Sequence, residues 1–227
     1  MALRLLRSRA YAQDERCGVN PLQAEIQIPA ALELLDYFGI AVFAISGALL
    51  AAEKRQTLVT FIFFAVATGV GGGTLRDLLI GAPVFWVHKN ATLLICIAAA
   101  LLVWLTSRRW FAGRALLWFD AAGLAAFATY GAAKALGFGI APVPAFAMGV
   151  LTACAGGIIR DVLAGEPSIV MRPELYVTAA ALSAGLLVGL TLLGMPGLLA
   201  AGLAAAAGFA LRGMAIYRGW SLPAYRE

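Results

Sequence analysis

Residues 68–83, TGVGGGTLRDLLIGAP, and residues 152–167, TACAGGIIRDVLAGEP, carry one pattern at a separation of 84 positions. Both contain Gly-Gly-x-x-Arg-Asp-x-Leu-x-Gly-x-Pro, and each pattern follows an apolar run. Apolar helices resemble one another by composition, which would explain matching alanines and leucines. Composition does not explain charged and turn-forming residues in register, so the pattern indicates an internal duplication.

The same shift aligns residues upstream of both strings. It pairs acidic, glycine and aromatic positions: Asp36 with Asp120, Gly39 with Gly123, Phe43 with Phe127 and Gly47 with Gly131. Each copy contains three apolar segments, and an odd number of spans brings the second copy into the membrane from the opposite side. The result is an inverted repeat with a pseudo-two-fold axis in the membrane plane, an arrangement found in transporters with a midplane solute site.

The composition excludes several classes of protein. Of the 227 residues 62% are hydrophobic and 13% charged, with a mean hydropathy of +0.88, which is far more apolar than a soluble domain. With one histidine, His88, no His/Cys metal cluster can form, and no nucleophile with a matching base is visible. We expect no enzyme, no metal and no cofactor. The net charge of +5 is attributed to cytoplasmic loops, and no nucleic-acid partner is expected.

We therefore predict an all-α integral membrane protein of seven transmembrane helices, in which two three-helix bundles form the inverted repeat and a seventh helix follows. The expected spans are about residues 32–50, 57–80, 90–106, 116–136, 142–164, 174–193 and 196–212. They divide the chain into an N-terminal arm (1–31), a seven-helix domain (32–212) and a tail (213–227). Within the domain, repeat 1 covers about 32–110, repeat 2 about 116–194 and helix seven about 196–212.

The distribution of basic residues predicts the orientation. One side of the membrane would carry most of them: Lys54, Arg55, Arg108, Arg109, Arg114, Arg172, Arg212, Arg218 and Arg226. The opposite side has Lys89 and the arm, whose four arginines lie far from the first span, where the bias weakens. We expect a multi-pass protein of the cell inner membrane, with the N-terminus outside and the C-terminus cytoplasmic.

The glycine runs of helices two and five predict a kink or break at mid-span. Consecutive glycines cost about 1 kcal/mol each in a helix interior, and freed carbonyls at such a break can coordinate a cation in a water-filled cavity. The alternative is that the glycines only allow close helix packing. The candidate pathway residues are Thr68, Gly71, Gly72, Gly73, Thr74, Thr152, Gly156 and Gly157.

Arginine–aspartate pairs end both strings. Ionisable groups inside spans are costly, usually paired, and often mark a solute path. The pairs are Arg76-Asp77 and Arg160-Asp161, and by the duplication we expect Arg76 to lie near Asp36 and Arg160 near Asp120, forming two symmetric charged mouths. Ion pairs that merely hold the helices in place are the alternative interpretation.

Lys134 breaks the symmetry of the repeat, because it falls opposite Leu50 in the first copy. Its ammonium group could extend along the helix to the membrane interface. The alternative is that it enters the pathway as a barrier or gate.

The paired motifs, in a duplicated three-helix unit followed by a seventh helix, resemble those of the trimeric intracellular cation (TRIC) channel family, closest to its bacterial branch. The resemblance implies a homotrimer with an hourglass pore in each subunit, between helices one, two, four and five, and potassium as the main permeant ion. It places Gly71–Gly73 and Gly156–Gly157 along the pore, the Arg-Asp pairs beside it, and Lys134 as the gating candidate. The second string departs from three glycines at Ala155.

Bacterial relatives of this domain also resemble importers of glycine. The expected function is a potassium-permeable cation channel, and the alternative is a secondary transporter of a small amino acid such as glycine. The expected partners are potassium ions, membrane lipids and further copies of the chain.

Overall fold

The computed structural model describes residues 30–106 and 114–223, which form seven α-helices. They are α1 (Ala30–Glu53), α2 (Leu58–Leu79), α3 (Asn90–Leu105), α4 (Ala115–Gly137), α5 (Pro142–Leu163), α6 (Val177–Leu192) and α7 (Gly197–Arg218). Residues 1–29 of the predicted arm, the loop arginines Arg108 and Arg109, and Arg226 of the tail lie outside the described residues.

The backbone repeats with the shift read from the sequence. Moving α2 by 84 residues gives the bounds of α5, and the 3-10 turn Phe85–Val87 moves onto the 3-10 turn Ile169–Met171. Gly81 and its counterpart Gly165 both adopt positive φ, at 70° and 67°. The two copies therefore share their helix ends and connecting turns as well as their motifs.

The helices α1, α2, α4 and α5 form the centre of the molecule, while α3 packs on the first pair, α6 on the second, and α7 on α4 and α6. The symmetry is clearest where α1 crosses α4. The Phe127 ring lies over Gly39 and the Phe43 ring over Gly123, where added Cβ atoms would approach ring carbons to 2.5 and 2.8 Å. The two rings pack on each other with centroids 5.1 Å apart.

Five of these helices, α1, α2, α4, α5 and α7, are long and apolar enough to cross a membrane. The helices α3 and α6 have 16 residues each, or roughly 24 Å at 1.5 Å per residue, against a hydrocarbon thickness of about 30 Å. Each follows a 3-10 turn. The all-α membrane fold with three plus three plus one helices is confirmed, although two of its seven helices are shorter than a full span.

The seventh helix is longer than expected. It ends at Arg218 instead of near residue 212, so residues 213–218 of the predicted tail are helical. The helix ends at Gly219, which adopts the left-handed conformation (φ 68°) that is common after the last residue of a helix. The chain beyond it is held on the α5–α6 connection, where the amide of Leu222 donates to the carbonyl of Pro173 (2.7 Å).

The predicted breaks at the glycine runs are wrong. Both α2 and α5 continue as α-helix through their glycines. The missing side chains allow a close crossing of the two helices instead. An added Cβ on Gly72 would lie 2.1 Å from the Thr152 carbonyl oxygen, and one on Gly156 would lie 2.8 Å from that of Thr68. Gly72 and Gly156 therefore serve close backbone packing, and the pathway role of the glycine runs stays a prediction.

Candidate functional site

Charged side chains gather at both ends of the α2–α5 crossing. The lysine cluster consists of Asp36, Arg76, Asp77 and Lys134, and the leucine cluster of Leu50, Asp120, Arg160 and Asp161. The 84-residue shift relates the two sets position by position, with Lys134 matched to Leu50. Every charged member is buried, between 0% and 8% exposed. Because buried charges are costly unless paired, the partners of each group decide what the clusters do.

In the leucine cluster each side-chain nitrogen of Arg160 has a partner. Its Nη1 donates to Asp120 Oδ1 (2.6 Å) and to Ser46 Oγ (3.2 Å), while Nε and Nη2 both donate to Asp161 Oδ1 (2.9 and 2.8 Å). The other oxygen of Asp161 accepts from the amide of Ile169 (2.8 Å), in the 3-10 turn. The expected proximity of Arg160 and Asp120 is thus present.

The lysine cluster is bonded differently. Asp77 Oδ1 accepts from Arg76 Nε and from Lys134 Nζ, both at 2.8 Å, and Asp77 Oδ2 accepts from the amide of Phe85 (3.1 Å). Asp36 lies within electrostatic reach of Arg76, but no ion pair joins these two side chains in the structure. The buried Nη1 and Nη2 of Arg76 have no hydrogen-bond partner. Nη2 makes only an ion contact with Asp77 Oδ1, at 2.8 Å.

Lys134 points into the protein and does not extend to the membrane interface. It is 7% exposed, and in addition to its bond with Asp77 its ammonium lies 5.9 Å from the centroids of the Phe85 and Phe138 rings. The Phe85 ring also faces the Arg76 guanidinium, at 5.8 Å. The interfacial interpretation of Lys134 is therefore wrong, and the lysine occupies the interior of its cluster.

At the other end, Leu50 stands in the position equivalent to Lys134 and lines a cavity. A cavity of about 320 Å³ reaches the leucine cluster there. It is lined by aliphatic and charged side chains: Leu50, Glu53, Leu116, Leu117, Arg160, Asp161, Glu166, Ile169 and Arg172. The two clusters thus differ in formal charge despite the shared backbone, because Leu50 replaces the positive charge of Lys134.

Between the clusters, the predicted pathway residues separate into two groups. Thr68, Gly72, Thr152 and Gly156 meet at the crossing, and the buried Oγ1 of Thr68 has no hydrogen-bond partner. The others lie under side chains: Gly71 against Ile159, Gly73 against Phe85, and Gly157 against Tyr176. Thr74 accepts a hydrogen bond from Trp86 Nε1 (2.9 Å).

Several residues of the clusters were not anticipated from the sequence. Ser46 contacts Arg160, whereas its counterpart Tyr130 places its ring 5.0 Å from the Arg76 guanidinium. Phe85 and Ile169 are also counterparts, and their amides bind the equivalent carboxylates. The members of each pair are different residue types, so a comparison that looks only for identical residues misses them. The 84-residue shift nevertheless aligns each pair.

Comparison with known proteins agrees with the repeat. A family model described as Glycine transporter matches residues 33–108 and again residues 117–192. The UPF0126 inner membrane protein YadS of Escherichia coli K12 is 41% identical over 148 residues, covering 64% of this chain and 72% of the relative. A UPF0126 membrane protein of Vibrio cholerae is 38% identical over 151 residues, which cover 65% of this chain and only 63% of the relative's length.

Among solved structures, the TRIC trimeric intracellular cation channel orthologue of Rhodobacter sphaeroides is similar throughout its length. The two chains are 43% identical, the match covers 85% of this chain and 100% of that one, and the TM-score is 0.79.

Proposed function

This chain belongs to the bacterial branch of the trimeric intracellular cation channel family, and from that membership we propose that it forms a potassium-permeable monovalent cation channel. The pathway would lie inside each subunit of a homotrimer, among α1, α2, α4 and α5, which contain both charged clusters. No catalytic step is part of this function.

One observation carries the proposal: buried polar atoms without partners lie at both clusters and at the crossing between them. They include Arg76 Nη1, Thr68 Oγ1 and Asp120 Oδ2. A buried polar group that makes no hydrogen bond costs about 1–3 kcal/mol, and water or a permeating ion would supply the missing partner. These atoms lie on α2 and α4, from the Arg76 end of the crossing to the Asp120 end, and an ion crossing the subunit between the two clusters would pass close to them.

The charges of the cavity favour cations. Its lining includes three carboxylates, Glu53, Asp161 and Glu166, against two guanidinium groups, Arg160 and Arg172. An excess of one sign in a low-dielectric cleft raises the local concentration of counter-ions, and acidic rings are a common device of cation channels.

Lys134 would close the opposite end. Its ammonium occupies the Asp77 carboxylate that an entering cation would otherwise meet. A cation must displace this ammonium or wait for it to move, so the side chain acts as a gate. The gate opens when Lys134 leaves Asp77, which keeps its bonds to Arg76 and to the Phe85 amide.

Potassium flux from liposomes tests the proposal. Purified protein reconstituted with a potassium gradient should release potassium on addition of a proton carrier, which balances the charge, and planar bilayers should show unitary currents that reverse near the potassium potential. Liposomes that hold their potassium, with no unitary currents across the same protein density, would contradict a channel.

A second candidate function, uptake of a small amino acid such as glycine, is favoured by Arg76 and Asp36, which interact electrostatically without a hydrogen bond between them, and by Arg76 Nη1, which has no hydrogen-bond partner. A guanidinium and a carboxylate are the groups that receive the two charges of a zwitterion. Saturable uptake of labelled glycine into the same liposomes, without unitary currents, would support the transporter and overturn the channel.

The proposed orientation places the leucine cluster at the cytoplasmic face. The described loops and helix ends on that side carry Lys54, Arg55, Arg114, Arg172 and Arg218, whereas the described loops of the other side carry Lys89. Single cysteines at Lys89 and Arg55, in a Cys17→Ser background, test it. A membrane-impermeant maleimide on intact cells should label the first cysteine and spare the second, and the reverse pattern would invert the topology.

The trimer would use the lipid-facing side of α1, α4 and α7. An apolar groove of about 220 Å³ lies between these helices, lined by Leu35, Phe38, Ala122, Ala125, Ala126, Ala205, Ala206 and Phe209. We expect a neighbouring subunit or lipid chains to fill it. Cross-linking in native membranes should give bands up to the trimer, and bands that stop at the monomer would count against this assembly.

A further inference from the structure

The ends of α1 and α4 place their lysines one helical turn apart. The amide of Lys54 donates to the carbonyl of Leu50 (3.0 Å), and the amide of Phe138 donates to the carbonyl of Lys134 (3.0 Å), so the two helices end on the same backbone. The 84-residue shift pairs Lys54 with Phe138. In α4 the lysine comes first and an aromatic residue follows, whereas in α1 a leucine comes first and the lysine follows, nearer the helix end.

Each of these lysines has its own acid. The side chains of Lys134 and Asp77 pair inside the protein, where they are 8% and 0% exposed. Lys54 instead forms an ion pair with Glu166, and these two side chains are 39% and 37% exposed. Glu166 belongs to the turn after α5, and its counterpart in the first copy is Ala82. The exposed lysine–glutamate pair is therefore a feature of the second end alone.

Glu166 connects this pair to the cavity of about 320 Å³ at the leucine cluster, which it lines together with Glu53 and Asp161. The carboxylate of Asp161 is committed to Arg160 and to the amide of Ile169. The ammonium of Lys54 donates to Oε1 of Glu166. A cation that comes to this end from solution thus meets an acid to which a cation of the protein is already bound.

We propose that Lys54 controls the entry of cations at the leucine cluster, because its ammonium competes with an incoming potassium ion for the carboxylate of Glu166. This inference rests on the proposed channel function and deepens it, since it adds a second lysine at the end opposite Lys134. It also makes Glu166 the acid that draws cations to this entrance.

The two lysines should act in different ways. Separating a buried ion pair is costly, so the pair of Lys134 and Asp77 would decide whether the pathway is open. An exposed ion pair is weak and is screened by salt, so Lys54 would leave Glu166 often and return to it quickly. Its effect would be on the size of the current through an open channel, and it would fade as the salt concentration rises.

Unitary potassium currents of the full-length protein in planar bilayers test the inference at two salt concentrations. The screening length is about 10 Å in about 0.1 M potassium chloride and about 3 Å in about 1 M. At the lower concentration Lys54→Gln should raise the current about twofold, because Glu166 then attracts potassium without a competing ammonium. Glu166→Gln should lower the current by a similar factor, and both differences should shrink at the higher concentration.

Two control variants separate the ion pair from surface charge in general. Arg55→Gln removes one positive charge at the neighbouring residue, and Lys54→Arg keeps a cation that can reach Glu166. Both should give currents close to those of wild type. Thermal unfolding verifies that each variant is folded. In a Glu166→Gln background, Lys54→Gln should no longer raise the current, because the acid for which it competes is gone.

The outcomes distinguish this inference from the channel itself. Equal currents for Lys54→Gln and Arg55→Gln in about 0.1 M potassium chloride would overturn the role of Lys54 and leave the channel in place. An increase for Lys54→Gln that persists in the Glu166→Gln background, or undiminished in about 1 M salt, would overturn the competition for Glu166. A wild-type protein without potassium currents would contradict the proposed channel, and this inference with it.

Discussion

The lysine cluster and the leucine cluster start from one duplicated backbone and reach different arrangements. In both, an aspartate accepts from its neighbouring arginine and from an amide of a 3-10 turn. The leucine cluster adds a direct bond between Arg160 and Asp120, and a cavity opens beside Leu50. In the lysine cluster Lys134 donates a hydrogen bond to Asp77, and the terminal nitrogens of Arg76 make no hydrogen bond.

The comparison separates the contacts that both repeats share from the contacts that make the two ends of the molecule different. The contacts kept in both copies are those that hold the ends of α2 and α5 to the turns that follow them, and they act as structural supports. The contacts that differ concern Lys134 and the two acids of α1 and α4, and under the proposed function these contacts would determine which end is open. The proposed gate is thus a departure from the repeat, whereas the aspartate contacts that both copies retain hold the helix ends to their turns.

The largest effect should come from removing the central arginine of each cluster. Arg160→Ala leaves the buried carboxylates Asp120 and Asp161 without their cation, which costs about 3–5 kcal/mol for a broken buried pair. Arg76→Ala should cost less, about 1–3 kcal/mol, because Asp77 retains Lys134 and the Phe85 amide. Thermal unfolding of both variants in detergent gives the comparison. An Arg76 variant as unstable as the Arg160 variant would show that the two clusters bear equal structural roles.

A moderate effect is expected at the crossing. Gly72→Ala places a Cβ 2.1 Å from the Thr152 carbonyl oxygen and should cost about 1–3 kcal/mol through overpacking. Gly156→Ala, with a separation of 2.8 Å, should cost less. Gly189→Ala in α6 meets nothing within 4 Å and is the control, with a gain of up to about 1 kcal/mol from helix propensity. If Gly72→Ala melts at the same temperature as Gly189→Ala, the helices do not cross as closely as described.

The smallest effects should come from the exposed ion pairs at the two ends. Lys54 pairs with Glu166 beside the leucine cluster, and Lys89 with Glu33 at the other end. The hydrogen bond from Lys54 lowers the pKa of Glu166 below its usual 4.5, so the stabilisation is present above that pH and is lost as the pH falls through the lowered pKa. The hydrogen bond to Glu33 raises the pKa of Lys89 above 10.5, so that stabilisation is present below pH 10.5 and is lost as the pH rises through the raised pKa.

Melting curves of Glu166→Gln and Glu33→Gln should therefore differ from wild type by little at pH 7, since exposed pairs contribute little. The Glu166 difference should vanish in acid and the Glu33 difference in alkali. A large change in melting temperature at pH 7 for either variant would contradict this expectation, because it would mean that an exposed ion pair contributes strongly to stability.

Much of the fold was predictable because the duplication constrains it. The shift of 84 residues anticipated the bounds of α5 from those of α2, and the glycine turns at Gly81 and Gly165. The Arg160–Asp120 contact followed from the same register. Helix propensity was the wrong guide at Gly71–Gly73, since a cost of about 1 kcal/mol per glycine is offset where close packing of two helices requires a missing side chain.

The asymmetry between the clusters could not be predicted from the repeat. Symmetry pairs Arg76 with Asp36 as it pairs Arg160 with Asp120, but Lys134 has no counterpart charge and its contact with Asp77 is a tertiary contact between α4 and α2. The direction of the Lys134 side chain depends on which buried carboxylate lies close to it in the folded protein. The sequence of one repeat does not show which carboxylate this is.

The central claim is that Lys134 closes one end of a cation pathway that Leu50 leaves open at the other. Single-channel recordings of wild type, Lys134→Leu and Leu50→Lys in planar bilayers with symmetric potassium chloride test it most directly, with Lys89→Leu as the control for loss of a surface charge. We predict a higher open probability or larger potassium current for Lys134→Leu, a reduced current for Leu50→Lys, and wild-type behaviour for Lys89→Leu. Currents of Lys134→Leu and Leu50→Lys that match wild type in size, open probability and voltage dependence would contradict the account.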